Sequence, residues 1–538
     1  MTKKCCVLVL AATILALVLR LPRLQQRPMH GDEAVHAIKF GKLLEQGVYT
    51  YDRDEYHGPT LNYLTLIPAW LTGAANLVQV TESTLRIVPV FFGVCLIVLL
   101  LLVARPLGTG VAVYAAVLTA ISPAMVFYSR YYIQEMLLVC FTFGAIVSGY
   151  RYSRNASIAW ALLTGVFLGL MHASKETCVI AFGSMALALL LTLLMRRQKG
   201  SLRTAVKAIR LSHLAVGLAA CVVVSALFHS SFLTNPAGIL DSIRTYTTYL
   251  NRAGGNALHI HPWYYYLEML LYFRYGQGPI WTEALIVLLA VLGFIAAMTN
   301  KGVSSTEGQL LRFIAFYTII MTIVYSAVPY KTPWCLLGFL HGMILLAGVG
   351  AVVLLRRAPN VLPRLIVLCL LFEAPVHLIW QAYLSNYRYD ADSRNPYVYA
   401  HPTPEVFTVV QKIQEYAGAQ EDGRNLPIEV ICPGDDYWPL PWYLRSFKQV
   451  SWRNQVADDA NSAPLIIASP DVEGALTRKL YTLIPLEKRR MYLFLFDKPY
   501  YVWLRPGVKL SGFVRKDLWD NLQRQQAGTV QVRTAGEK

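Results

Sequence analysis

An acidic pair, Asp32-Glu33, stands in the stretch His30-Gly-Asp-Glu-Ala-Val-His36, directly after a first apolar segment. Charged side chains at the boundary of a membrane are costly unless they are paired or serve a function. A carboxylate in such a place can take a proton from a hydroxyl group or hold a divalent metal ion. The local alternative is structural, because Asp is a favoured N-cap residue and Glu in a first helical turn suits the helix dipole.

Two further polar groups are expected at the same face of the membrane. His57 lies at the far end of the same predicted loop, and Glu135 lies just before an apolar run in the next loop on that side. We predict Asp32, Glu33 and Glu135 as catalytic residues. We also predict Asp32, His57 and Glu135 as ligands of a divalent metal ion of unknown identity. The alternative for Glu135 is a favourable charge at a helix N-terminus.

The composition indicates what kind of protein must position these groups. Hydrophobic residues form 55% of the 538 residues and charged residues 15%, and the mean hydropathy is +0.42. Soluble proteins carry about 25% charged residues. The net charge of +17 comes from short basic clusters between apolar runs, which follows the positive-inside rule and argues against nucleic acid as a partner. The predicted fold is therefore an α-helical polytopic membrane protein.

Apolar runs of spanning length predict about eleven transmembrane helices. They lie at roughly 5–20, 85–104, 109–126, 136–150, 158–172, 177–195, 211–230, 281–298, 312–328, 335–355 and 365–382. The first run lacks a small-residue cleavage site, so we interpret it as a retained signal-anchor helix with its N-terminus in the cytoplasm. Residues 1–382 then form a domain in the inner (plasma) membrane, with loops 21–84, 122–135 and 231–280 outside.

Two regions outside the membrane have recognisable local patterns. In the first loop, helical spacing of apolar residues between Ala34 and Leu44 predicts a short helix that lies along the membrane, ends near Gly47 and has Asp32 as its N-cap. After residue 382, β-like runs alternate with turns, which predicts an external α/β domain at 383–538. Its predicted strands are Pro427–Ile431, Leu465–Ala468, Met491–Phe496 and Tyr500–Leu504, and its predicted helices are Pro404–Ala417 and Glu473–Leu480.

This set of features resembles the GT-C membrane glycosyltransferases. The shared features are the acidic pair in the first external loop, a carboxylate in the next one, many spans and an external C-terminal domain. The nearest resemblance is to the branch of the protein O-mannosyltransferases and the lipid A aminoarabinose transferase. The runs Ser326–Trp334 and Asp436–Arg445 are similar to a prokaryotic subfamily labelled flippase-activity-associated proteins. The resemblance extends over essentially the whole chain.

The resemblance implies roles for several residues. Asp32 falls on the expected catalytic base or metal contact, and Glu135 falls where the superfamily more often has Asp. Aminoarabinose-type enzymes have a Glu-Lys-Pro-Pro run where this chain has His57-Gly-Pro-Thr60, so the lysine is missing. Another cation must then hold the donor phosphate, and the candidates are Lys331, Lys175 and Arg130. The alternatives are interfacial snorkelling for Lys331, pairing with Glu176 for Lys175 and pairing with Glu135 for Arg130.

The remaining predicted contacts are aromatic and cationic residues in the external loops. Aromatic rings stack on sugar faces and arginines bind phosphates, so we predict Tyr330, Trp334, Trp263 and Arg252 as substrate-binding residues. The implied function is an inverting glycosyltransferase that moves a sugar from a polyprenyl-phosphate donor to a glycan, lipid or protein acceptor at the outer face. The alternatives are a lipid-linked sugar transporter or flippase accessory, and a non-catalytic scaffold of envelope assembly.

Overall fold

The computed structural model of the protein describes residues 3–54, 57–195, 210–253, 259–299, 308–457 and 462–536, without the side chains of 250–253 and 528–536. Helices form most of the chain up to Tyr387. They are α1 (Lys3–Arg20), α2 (Gly31–Gln46), α3 (Thr60–Leu71), α4 (Glu82–Leu107), α5 (Thr109–Ile121), α6 (Pro123–Ser129), α7 (Glu135–Arg154), α8 (Ile158–His172), α9 (Cys178–Leu194), α10 (Leu211–His229), α11 (Ala237–Ala253), α12 (Tyr265–Leu271), α13 (Ala284–Thr299), α14 (Gly308–Ala327), α15 (Leu337–Arg357) and α16 (Val361–Tyr387).

The predicted membrane segments all coincide with helical structure. Within the described ranges, six helices are long and apolar enough to cross a membrane, or seven if α5 and α6, bent by 59°, form one span. The other predicted segments are α1, which carries Lys3, Lys4 and Arg20, and the apolar helices α8, α9 and α13 of 15, 17 and 16 residues. The predicted number of eleven is therefore higher than length and composition alone support, because these helices are short or charged at their ends.

Helix α2 has the predicted C-terminal end but a different N-cap. It ends at Gln46, and Gly47 follows with a φ of 72°, a left-handed conformation that glycine adopts easily. At the other end, His30 is the N-cap residue, because its Nδ1 accepts a hydrogen bond from the backbone N–H of Asp32. Glu33 completes a capping box by accepting from the backbone N–H of His30. The prediction of Asp32 as N-cap is therefore wrong.

The chain after Tyr387, called the C-terminal half below, contains a six-stranded mixed sheet. Its strand order is β2-β1-β3-β6-β4, with β5 also paired to β6. Strand β1 is parallel to β2 and β3, and β6 is antiparallel to β3, β4 and β5. The strands are β1 (Ile428–Ile431), β2 (Val450–Arg453), β3 (Leu465–Ala468), β4 (Tyr492–Phe494), β5 (Tyr501–Arg505) and β6 (Val508–Arg515). The helices are α17 (Val406–Gly418), α18 (Leu440–Tyr443), α19 (Glu473–Arg478) and α20 (Lys516–Gly536).

The two halves share packing at the end of the helix bundle that carries α2. Tyr397 and Trp442, from the C-terminal half, are buried in the same apolar core as the membrane helices. A second core lies within the C-terminal half around β1, β3 and α17. The predicted domain boundary at residues 382 and 383 falls inside α16, which continues to Tyr387.

Candidate functional site

Glu33 is fully buried and is held by several donors. Its carboxylate accepts from the Arg86 guanidinium at 2.7 and 2.8 Å, and it lies 3.3 Å from the Arg27 guanidinium. The backbone N–H groups of His30 and Tyr132 donate to it at 3.0 and 2.8 Å. Burial acts to raise the pKa of Glu33, but the two arginines hold it well below its ordinary value. Glu33 thus connects α2 to α4 and to the turn before α7.

Asp32, the preceding residue, lies in a very different environment. Its side chain is 51% exposed, and the Nδ1 atom of His30 lies 3.8 Å from its carboxylate. Because the backbone N–H of Asp32 donates to that same Nδ1, the cap fixes the backbone of Asp32 and leaves its carboxylate open to solvent. An accessible carboxylate on a backbone that is held in place is the arrangement that a general base needs.

Aromatic rings surround the segment that carries Asp32. The His30 ring lies 5.4 Å from the Tyr131 ring and 5.9 Å from the Trp334 ring, between ring centres. It also lies 4.8 Å from the His401 ring. Trp334 is 7% exposed, so most of its surface contacts protein. The structure therefore brings the predicted residue Trp334 close to His30, two positions before the predicted base Asp32.

Glu135 and Lys175 form a buried ion pair. The Glu135 carboxylate acts against burial to hold the pKa of Lys175 above its ordinary value, although burial alone would lower it. The second oxygen of Glu135, Oε2, is buried and has no hydrogen-bond partner among the described residues. Lys175 thus pairs with Glu135 and not with its neighbour Glu176, and Arg130 is not the partner of Glu135.

His57 and Glu176 form a second pair nearby. The Nδ1 atom of His57 lies 2.7 Å from the Glu176 carboxylate, and the Tyr51 hydroxyl donates to the same carboxylate at 3.0 Å. Burial acts to raise the pKa of Glu176, but His57 holds it below its ordinary value. The Tyr249 hydroxyl also lies 3.0 Å from Nδ1 of His57.

The predicted metal ligands are not gathered around one point. His57 is bound to Glu176, Glu135 is bound to Lys175, and Asp32 is open to solvent. Among the residues that the structure describes, no group of three or more His, Cys, Asp or Glu side chains is arranged to hold a metal ion. The predicted set Asp32, His57 and Glu135 therefore does not fit a metal site in this part of the chain.

Arg130 is 5% exposed, and its guanidinium donates to backbone carbonyl groups at the end of α1. Its Nη1 donates to the carbonyl oxygens of Arg20 and Pro22 at 2.9 and 2.8 Å, and to the Tyr387 hydroxyl at 2.9 Å. Its Nη2 reaches the carbonyl oxygen of Arg23 at 3.3 Å. The bond to Arg20 satisfies a carbonyl group that the C-terminus of α1 leaves without a helical partner, and the others hold the turn that follows, which is a structural use of the side chain.

Lys331 belongs to a pair of loops beside the aromatic rings. Its side chain donates to the carbonyl oxygens of His261 and Val328, and the residue is 1% exposed. Its backbone N–H donates to the carbonyl of His259 at 2.9 Å. Its neighbour Tyr330 is 38% exposed, so this predicted substrate-binding residue is accessible.

The other predicted substrate-binding residues lie in the segment between α10 and α13. Trp263 is 64% exposed, and the structure records a ring contact to Tyr264 at 5.7 Å between ring centres. Arg252 lies near the end of α11, and its side chain falls outside the described part of the chain.

Some residues at this end of the bundle were not predicted from the sequence. The Tyr399 carbonyl binds Nε2 of His30 at 3.0 Å, and the Tyr399 hydroxyl lies 2.5 Å from Nδ1 of His259. Glu283 is fully buried and accepts from the Ser122 hydroxyl, the Ala124 N–H and the Tyr397 hydroxyl, which fixes the bend between α5 and α6. Glu283 immediately precedes an apolar run, as Glu135 does, and that position was the available signal.

Comparisons with known proteins agree with this architecture. Residues 64–229 match the family model described as dolichyl-phosphate-mannose-protein mannosyltransferase. The structure is similar to that of ArnT from Cupriavidus metallidurans bound to undecaprenyl phosphate, with a TM-score of 0.61 and 15% identity over 94% of this chain and 97% of that chain. No curated protein sequence gives a significant match.

A second similarity is to the oligosaccharyltransferase of Archaeoglobus fulgidus in complex with Zn and sulfate. Its TM-score is 0.53 at 12% identity, over 88% of this chain and 69% of that chain. The fold is thus that of the GT-C membrane glycosyltransferases, with a small C-terminal sheet domain. The fold that the sequence resemblance predicts is confirmed by these structures, and the family model matches residues 64–229.

Proposed function

We propose that the protein transfers a sugar from a polyprenyl-phosphate donor to an envelope acceptor, with Asp32 as the general base. The proposal places the reaction at the outer face of the plasma membrane, the N-terminus in the cytoplasm and the C-terminal domain outside. The similarity to ArnT bound to undecaprenyl phosphate supports a donor of this chemical class. The family model over residues 64–229 supports sugar transfer as the reaction.

The observation that carries the proposal is the contrast between Asp32 and the other acidic groups near it. Glu33, Glu135 and Glu176 are buried and paired with Arg86, Lys175 and His57, respectively. Asp32 has an exposed carboxylate on a backbone that a cap holds in place. A carboxylate that is already neutralised by a buried cation is a poor proton acceptor, so Asp32 is the base that we select.

In the proposed step, an acceptor hydroxyl gives its proton to the Asp32 carboxylate as its oxygen attacks the anomeric carbon of the donor sugar. The bond between that carbon and the phosphate oxygen breaks, and its electron pair leaves with the polyprenyl phosphate. A single displacement of this kind inverts the configuration at the anomeric carbon. Glu33 and Glu135, which were predicted as catalytic, are assigned positioning roles because both are committed to buried ion pairs.

The departing phosphate needs a cation, because uncompensated charge there raises the barrier. Of the three predicted cations, Arg130 binds carbonyl groups and Lys175 is paired with Glu135. An ammonium group can donate three hydrogen bonds, and Lys331 donates two, to the carbonyl oxygens of His261 and Val328. We propose that the third N–H of Lys331 donates a hydrogen bond to the donor phosphate, and that Tyr330 and Trp334 lie beside the sugar.

The test uses purified protein in lipid vesicles with a panel of radiolabelled polyprenyl-phosphate sugars, and measures sugar transfer or release. We expect turnover for the native chain and a loss of at least about 100-fold in Asp32→Asn, since general base catalysis contributes about 10²–10⁴-fold. Asp422→Asn is the matched control, because Asp422 is an exposed carboxylate in the C-terminal half.

The possible results separate the proposal from its rivals. Turnover that is lost in Asp32→Asn and kept in Asp422→Asn supports a glycosyltransferase with Asp32 as base. Turnover of Asp32→Asn at the native rate removes Asp32 from the mechanism. Translocation of a donor between leaflets with no sugar transfer, for every member of the panel, contradicts the enzyme and favours a transporter.

A further inference from the structure

Residues of the C-terminal half contact the chain at the three positions immediately before Asp32. The backbone N–H of Met29 donates to the Tyr443 hydroxyl at 2.8 Å. Nε2 of His30 lies 3.0 Å from the Tyr399 carbonyl oxygen. A Cβ atom placed on Gly31 would lie 3.7 Å from Cβ of Trp438, so the backbone of Gly31 packs beside that side chain. The C-terminal half thus contacts each of the three residues that lead to the proposed base.

The His30 ring transmits one of these contacts directly to Asp32. The Asp32 N–H can only donate, so Nδ1 of His30 accepts from it and carries no proton. The Tyr399 carbonyl can only accept, so Nε2 of His30 carries the proton. A single neutral tautomer of His30 satisfies both bonds. The ring therefore forms a bridge between the C-terminal half and the backbone N–H of Asp32.

The residues that make these contacts are themselves anchored to the membrane half. Nε1 of Trp442, next to Tyr443, donates to the Glu82 carboxylate at the start of α4 at 2.8 Å. The Arg445 guanidinium donates to the carbonyl oxygens of Leu77 and Val80 at 3.1 and 2.9 Å. Helix α18 and the residues just after it are therefore fixed to the start of α4 and to the segment before α4.

The loop that carries Trp438 is held from the sheet. The Arg505 side chain, at the end of β5, donates to the Trp438 carbonyl at 3.3 Å and forms an ion pair with Asp436. The end of strand β5 is thereby connected to Gly31 through Arg505 and Trp438. A displacement of the C-terminal domain would act on the α2 N-terminus through this loop as well as through α18.

We propose that Tyr443, Tyr399 and Trp438 are positioning residues that fix the orientation of Asp32, so that the docked C-terminal domain completes the catalytic site. The proposal rests on the proposed function, in which Asp32 is the base. None of the three residues needs to touch substrate. Their effect passes through the backbone and the cap of α2.

Tyr443→Phe is the sharpest variant, because Tyr399 acts through its backbone carbonyl and a change of its side chain would leave that bond in place. The variant removes one hydroxyl group and leaves the buried N–H of Met29 without that acceptor. Tyr492→Phe is the matched control, since the Tyr492 hydroxyl donates to the Ala463 carbonyl at 2.9 Å within the C-terminal half.

The measurements are the turnover number, the KM for donor and the hydrogen exchange of peptides that cover residues 28–35. In Tyr443→Phe we expect a turnover number lower by about tenfold or more, because small misplacement of a catalytic group is costly. We also expect a KM for donor within about twofold of the native value and faster exchange across 28–35. Tyr492→Phe should match the native protein in all three quantities.

Two results would overturn the inference. One is a Tyr443→Phe variant with native turnover and native exchange, and the other is an equal loss of turnover in Tyr443→Phe and Tyr492→Phe. Asp32→Asn measured in parallel separates this inference from the proposed function. If Asp32→Asn keeps turnover, the proposed function fails, and the role of Tyr443 as a positioning residue for Asp32 fails with it. If Asp32→Asn is inactive while Tyr443→Phe is native in turnover and exchange, only the positioning role fails.

Discussion

Asp32 and Glu33 are neighbours in the chain, yet their carboxylates meet opposite environments. Successive residues of a helix point about 100° apart, so one of the two can face solvent while the other faces the core. The buried Glu33 contacts two arginines, and the exposed Asp32 contacts the cap. The same helical turn thus supplies both a structural anchor and the accessible carboxylate that we propose as the base.

The ion pairs of Glu33 lead to a prediction about stability and pH. Glu33→Gln keeps the shape of the side chain but leaves Arg86 and Arg27 buried without an anionic partner. Breaking a buried pair in this way costs about 3–5 kcal/mol, so we expect a clearly lower melting temperature in detergent at pH 7. The control is Glu45→Gln on the same helix, whose exposed side chain accepts from the Leu77 N–H and keeps an acceptor oxygen as Gln.

The sign of the pH dependence follows from the lowered pKa of Glu33. Ionised Glu33 stabilises the native state fully above its unfolded pKa of 4.5, and that stabilisation is lost as pH falls from there toward the lower folded pKa. The difference in melting temperature between the native chain and Glu33→Gln should therefore narrow between pH 5 and pH 3. A difference that is absent at pH 7, or that widens on acidification, would contradict the assigned ion pair.

Residue types in the sequence located this region but not the partners within it. The sequence predicts that Asp32, Glu135, Lys175 and His57 lie at one membrane face. It could not identify the pairs, because Glu135 and Lys175 are separated by 40 positions and His57 and Glu176 by 119. Such pairs depend on how helices and turns pack. Only the packed structure shows that Lys175, a candidate for binding the donor phosphate, forms an ion pair with Glu135.

At the scale of elements, a close approach between two turns determines where Lys175 and Glu176 stand. Gly58 lies against the turn after α8, and a Cβ on Gly58 would be 2.2 Å from the Ala173 carbonyl oxygen. The Thr60 hydroxyl and the Ser174 hydroxyl are 2.7 Å apart, which holds the same two segments together. Glycine is needed at position 58 because any side chain there would collide with the backbone at Ala173.

Gly58→Ala should therefore destabilise the protein and impair activity. The added methyl group cannot fit against backbone, so the turn must shift, and overpacking of this kind costs about 1–3 kcal/mol. Because the shift moves Lys175 and Glu176, we expect a lower melting temperature together with reduced sugar transfer. Gly183→Ala on α9 is the control, since nothing lies within 4 Å of a Cβ at that position. Equal melting temperatures for the two variants would contradict the close approach.

Elements differed in how well the sequence predicted them. Long apolar helices and four strands were located, since their patterns are local. Strands β2 and β6 were missed, although the Pro506-Gly507 turn before β6 is a typical hairpin signal. The N-cap of α2 was also missed, because a histidine is an uncommon cap and its role depends on Tyr399, 369 positions later.

At the scale of the whole molecule, the proposed site lies where the two halves meet. The membrane half supplies Asp32, Lys331 and Trp334, and the C-terminal half supplies contacts to residues 29–31. A site of this kind requires that the end of the membrane half that carries α2 and the C-terminal half lie on the same side of the membrane. The proposed orientation is thus a condition of the mechanism and can be tested separately from activity.

The orientation predicts which exposed positions react with a membrane-impermeant maleimide in intact cells. Cysteines at Gln46 and Asp422, both exposed, should be labelled because the proposed orientation places α2 and the C-terminal half outside. A cysteine at Asn155, which is exposed in the connection from α7 to α8 near Arg151 and Arg154, should be labelled only after permeabilisation. The parent chain gives the background from its own cysteines. Labelling of Asn155→Cys in intact cells, or protection of Asp422→Cys, would place the two halves differently and make a shared outer site impossible.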